Sequence, residues 1–61
     1  MNKIYKIAKD LIIDRLNNNN QIPLDKLAEV DFILMKKFKL SVFKIDKLTF
    51  NVLVELGKKY H

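Results

Sequence analysis

Cysteine and tryptophan are absent from this chain, and glycine, proline and histidine occur once each. Without cysteine there is neither a disulfide nor a thiolate metal site. The lone histidine, His61, rules out any paired-histidine site. A single glycine and a single proline leave no glycine-rich loop to cradle a phosphate. Long apolar runs are missing too. The longest, Phe32-Ile33-Leu34-Met35, has four residues, against the roughly 20 that a membrane-spanning helix needs. The opening Met1 to Ile7 has basic residues but no apolar core of signal-peptide length, and Asp10, Asp14 and Arg15 interrupt the apolar residues after it. The expectation is a soluble or peripheral protein of the cytoplasm that uses no cofactor.

What is present is apolar. Hydrophobic residues make up 49% of the 61 positions, too many for a disordered tail. A chain this short forms one small domain, spanning residues 1–61, and buries only about 60% of the surface that its unfolded form exposes. Dense helical packing, association with a partner, or both must supply the rest. The net charge is +5, unevenly spread. Residues 1–30 hold five basic against four acidic side chains (+1), and residues 31–61 hold seven lysines against three acids (+4). That bias favours nucleic acid, an anionic membrane surface or an acidic protein as partner; excess lysine also serves solubility.

Helical periodicity is clearest at the start. Ile4, Ile7, Ala8, Leu11, Ile12, Ile13 and Leu16 form a stripe, with Lys6, Asp10 and Asp14 four apart opposite it. This predicts an amphipathic helix over 2–18. The carboxylates of Asp10 and Asp14 read as members of i,i+4 ion pairs on a solvated face. Asn17 to Gln21 is a polar loop, and one of its asparagines is expected to terminate the helix. Pro23 opens the next element, whose apolar residues are Leu24, Leu27, Ala28 and Val30. Asp31 either caps a new helix or is overrun by a helix continuing to Phe38; the division adopted is 24–30 and 31–39.

Residues 38–56 read two ways. At period two, Phe38, Leu40 and Val42 alternate with polar residues, and Leu48, Phe50, Val52, Val54 and Leu56 alternate again, as in a β-hairpin. Asp46-Lys47 is a poor hairpin turn, however, for lack of glycine or asparagine. At helical period, Ser41 is the N-cap, Val42, Ile45, Leu48, Val52 and Leu56 make the stripe, and Gly57 ends the helix, with Lys58 and Lys59 at its negative end. The helix, 41–56, is favoured. The fold expected is all-α, with three to four helices; the alternative is α+β with a C-terminal hairpin at 38–56. The expected core is Ile7, Leu11, Leu27, Leu34, Phe38, Leu40, Ile45, Leu48, Val52 and Leu56.

The segment Asp31 to Gly57 resembles a helix-turn-helix DNA-binding motif. Leu34 and Phe38, four apart, match the apolar pair of its first helix; Leu40 matches the apolar turn residue; Ile45 and Leu48, three apart, match the buried pair of its second helix. Lys36-Lys37-Phe38-Lys39-Leu40-Ser41 is similar to the turn of LuxR-type domains. Met35 departs from the usual small residue, and Lys39 from the usual turn glycine. The resemblance implies a recognition helix opening at Ser41 and lying in the major groove. Ser41, Phe43, Lys44, Lys47 and Asn51 would face the bases, while Lys36, Lys37 and Lys39 would contact the backbone. A small DNA-binding transcriptional regulator, dimeric, is the function so implied.

Phe43 fits that role least well. With Phe50 and Val54 it gives the last helix a second greasy side, which points to a dimer or another protein as its cover unless the first helix folds over it. The alternative function is therefore a small adaptor or inhibitor docking on a host protein; in composition the chain is similar to accessory proteins of AT-rich bacteriophages or bacteria. An enzyme is not expected. No nucleophile has a base beside it in sequence pattern, and Tyr5 and Tyr60 read as packing or interfacial residues.

Overall fold

The apolar stripe of the N-terminal segment winds into α1 (Lys3–Asp14), and two longer helices come after it, α2 (Leu24–Phe38) and α3 (Val42–Leu56). The computed structural model describes residues 3–57. Among these there is no strand, so the chain is all-α and residues 38–56 are not a hairpin. The local chemistry decides the matter. Ser41 Oγ accepts the Lys44 backbone N–H at 3.3 Å, which satisfies one of the donors orphaned at a helix start. At the other end Gly57 turns left-handed (φ 67°) and donates to the Leu53 and Val54 carbonyls. The expectations placed on Asn2, Lys58, Lys59, Tyr60 and His61 lie outside the described residues.

Two boundaries differ from the expectation. The first helix stops at Asp14 rather than near 18, because Arg15 and Leu16 bond back to Ile12 and Ile13 in a tightened i→i−3 turn. The asparagines then act in the loop rather than at the helix end. Asn17 Oδ1 accepts the backbone N–H groups of Asn19 and Gln21 at 2.9 and 3.0 Å, and Asn20 takes the left-handed conformation (φ 61°). The second departure is at Asp31, which caps nothing. No glycine or proline interrupts 24–38, and an interior aspartate costs under about 0.7 kcal/mol of helix propensity, so α2 runs through it. Pro23 sits one residue outside α2, as its N-cap, and its carbonyl accepts the Leu27 N–H at 2.9 Å.

The three helices meet around Ala8 and Ile12 of α1, Val30 and Leu34 of α2, and Ile45, Val52 and Leu53 of α3, all buried. Ile22, from the loop, is fully buried as well. Of the expected core, Leu34, Ile45 and Val52 are buried; Ile7, Leu11, Leu27, Phe38, Leu40, Leu48 and Leu56 are half-buried around them. Thr49 is buried without cost to its hydroxyl, which donates to the Ile45 carbonyl at 3.1 Å. Polar contacts bind α1 to its neighbours. Tyr5 Oη donates to Glu55 Oε1, Lys9 Nζ reaches Glu55 Oε2 at 2.6 Å, and Arg15 lies 3.4 Å from Glu29.

Candidate nucleic-acid interface and docking groove

Lys39, Leu40 and Ser41 alone separate α2 from α3. So short a connection needs a sharp reversal of the backbone, and Lys39 provides it in the left-handed region (φ 55°, ψ 38°), its N–H donating to the Met35 carbonyl at 2.8 Å. The conformation is mildly strained for a residue with a Cβ. Leu40 turns inward beneath the turn and is half-buried, so Lys39 and Ser41 on either side of it are exposed. Met35, where a small residue is usual in the motif, packs half-buried against the core.

All eight positions read as DNA-contacting are exposed: Lys36, Lys37, Lys39, Ser41, Phe43, Lys44, Lys47 and Asn51. Their charge environment differs from that of α1. Lys6, Lys9, Arg15 and Lys26 each have a carboxylate at 3.4, 2.6, 3.4 and 3.4 Å. Among the described residues, Lys36, Lys37, Lys39, Lys44 and Lys47 form no such pair. Lys36 instead lies over the Phe32 ring, 5.3 Å from its centroid. Positive charge thus gathers at the α2–α3 turn, where α3 also presents the positive end of its dipole. Of the two carboxylates read as members of i,i+4 ion pairs, Asp10 pairs with Lys6 in that way, whereas Asp14 lies 3.8 Å from its neighbour Arg15 instead.

The outward side of α3 is apolar. Phe43, Phe50 and Val54 expose 79%, 56% and 63% of their surface. The first helix does not fold over them, because it packs on the opposite flank, where Glu55 receives Tyr5 and Lys9. Those two bonds, Lys9's foremost, hold the Glu55 carboxyl below its usual range; Glu55 in turn raises the Tyr5 hydroxyl above its own.

Between α2 and α3 runs a groove of about 620 Å³, lined by Leu27, Asp31, Phe43, Asp46, Lys47, Thr49, Phe50 and Leu53. Asp31 comes one helical turn after Leu27, at the edge of the apolar stripe of α2. Its Oδ1 is sealed from solvent with no hydrogen-bond partner among the described residues. Burial, and then the nearby Asp46 carboxylate, push its pKa from 3.8 up to about 6. Sequence reading took Asp31 for a helix cap and so missed its place in the groove; the available signal was an acid inside an i,i+4 apolar pattern. Phe32, exposed beside Lys36, was missed as well.

No protein family, characterised protein or solved structure matches this chain. Among the described residues, no helix is long and apolar enough to cross a membrane, and no cluster of three or more metal-ligating side chains occurs.

Proposed function

We propose that this protein is a non-catalytic binding module that engages duplex DNA in the cytoplasm through the basic turn between α2 and α3, as a small helix-turn-helix-like regulator. The observation that carries the reading is the group of five lysines at that end, none of them ion-paired among the described residues, while the basic residues of α1 and early α2 mostly are. The three-residue left-handed turn and the Ser41 cap agree with it. Lys36, Lys37, Lys39 and Lys44 supply phosphate contacts, which position a protein without reading sequence. Phe43, Asp46 and Phe50 on the outward side of α3 are poor base readers, so affinity comes mainly from the backbone. Lys47 and Asn51 supply what selectivity there is.

Fluorescence anisotropy on a labelled duplex tests this. Binding should weaken steeply between about 50 and 200 mM salt, and Lys36→Ala and Lys37→Ala should each flatten the log–log salt slope by about one unit. Absence of binding at about 50 mM salt, or salt-independent binding, sinks the reading. A second reading, an adaptor or inhibitor docking on another protein, is favoured by the exposed Phe43, Phe50 and Val54. Phe43→Ala separates the two: a backbone binder keeps its duplex affinity, whereas a docking helix loses an aromatic anchor.

A further inference from the structure

We propose that the groove between α2 and α3 receives unpaired bases of a DNA strand, so that a duplex interrupted by a single-stranded stretch is bound in preference to fully paired DNA. The turn lysines supply the hold on the flanking double helix, and to that extent the duplex-binding reading is presupposed. Three rows of side chains make the site. Because α3 turns about 100° per residue, Phe43 and Phe50 form one outward crest, exposing 79% and 56% of their surface. Lys47, Asn51 and Lys44 follow on one side of that crest, and Asp46 and Leu53 on the other, toward α2. Leu27 and Asp31 of α2 close the groove opposite them. Its volume of about 620 Å³ lies within the range of about 300–1,000 Å³ that small-ligand sites occupy.

A single strand has matching rows. Its phosphates suit the lysine side, where Lys44 and Lys47 make no ion pair among the described residues. Its bases are flat, and each stacks on an aromatic side chain whatever its identity. Phe43 and Phe50, about 10 Å apart along the helix axis, serve two of them. Base edges carry N–H donors, and the exposed Asp46 carboxylate beyond the rings accepts from them. The same carboxylate, with Asp31 across the groove, repels phosphate, which fixes how the strand lies across the helix. In a paired duplex the base faces are stacked on one another and cannot meet the rings. Other partners match fewer rows. An anionic membrane or an acidic peptide would satisfy the lysines but bring nothing to Asp46, and a basic peptide would do the reverse.

Fluorescence anisotropy on three labelled DNAs at about 50 mM salt tests this: a paired duplex, the same duplex with a short unpaired run of deoxycytidines in one strand, and that run as a free oligonucleotide. The wild type should bind the interrupted duplex about tenfold or more tightly than the paired one, as stacking of one or two bases implies. Phe50→Ala should remove most of that preference and change paired-duplex affinity little. Asp46→Ala should lower the ratio too, although losing a negative charge favours both DNAs. Phe50→Trp gives the chain its only tryptophan. It should keep the preference, and its emission should be quenched by the interrupted duplex but not by the paired one. Equal affinity for the two duplexes, or a preference and an emission indifferent to these changes at position 50, overturns the proposal and leaves the duplex reading standing. Binding to the free oligonucleotide with none to the paired duplex supports the groove and sinks the duplex reading, and binding to no DNA sinks both. A DNA-free dimer in sedimentation that Phe50→Ala dissociates gives the crest to a second copy and likewise overturns the proposal.

Discussion

Lys39 and Asp31 both occupy conformations or surroundings that other residues would tolerate better. The left-handed backbone at Lys39 (φ 55°) costs a residue with a Cβ roughly 1 kcal/mol relative to glycine. Lys39→Gly should therefore raise stability by about 0.5–1 kcal/mol in thermal melts, while removing a cation from the turn and weakening duplex binding; lower stability would mean that the side chain helps hold the turn. Asp31 acts through its proton. Its folded pKa of about 6 exceeds its ordinary 3.8, so between these values the folded chain keeps a proton that the unfolded chain releases. Stability should accordingly fall as pH rises from about 4 to 6 and stay lower above that range. Asp31→Asn should flatten this slope and gain about 1–2 kcal/mol at pH 7, the gain being limited because Asp31 is partly exposed. A melting profile identical to wild type across that range would contradict the assignment.

The elements were legible where a period and a chemical stop signal agreed. Ser41 and Gly57 bracket α3, and both make the capping bonds that their side chain and its absence permit. Removing the cap with Ser41→Ala should cost about 1 kcal/mol. Asp31 shows the converse: a residue able to cap does so only where the chain before it leaves the helix, and nothing between Leu24 and Phe38 makes it leave. Leu34 and Ile45 are fully buried on facing helices. Leu34→Ala or Ile45→Ala should each cost about 2–5 kcal/mol, enough to unfold much of a domain whose total stability is of that order. Urea titration monitored by circular dichroism reads this directly, and an unchanged midpoint for either variant would contradict the packing of α2 on α3.

For the whole molecule, the decisive feature is the separation of charge from grease. The α1 flank of α3 is tied down by Glu55, the turn end gathers lysines, and the outward side of α3 exposes Phe43, Phe50 and Val54 beside a groove that also holds Asp31 and Asp46. Lys44 and Lys47 are both exposed on α3 yet belong to different surfaces: only Lys47 lines the groove. Lys44→Ala should thus lower duplex affinity by removing a phosphate contact, whereas Lys47 stands at the groove. If Lys47 also touches a base edge, its loss changes the preference between duplexes by about 1–3 kcal/mol, measurable by competition between two sequences.

The sequence by itself favoured the helical class and marked the inward residues Leu34, Ile45 and Val52, because apolar spacing and capping chemistry are local properties of the chain; it left a hairpin at 38–56 open and divided at Asp31 what is one helix, Leu24–Phe38. It also placed the basic bias in the second half, since charge is additive along a chain whatever its fold. Tertiary structure alone decided the rest. Ile22 lies in the loop after five polar residues, outside any helical stripe, and only the closing of three helices makes a socket for it. Leu53 and Val54 are adjacent and chemically alike, yet one is buried and the other open, because α1 and α2 cover part of the circumference of α3 and nothing in its own sequence says which part. The burial of an Asp31 oxygen has the same origin: a helix carries its pattern with it, but the environment of each side chain is set by the neighbours that the fold brings alongside.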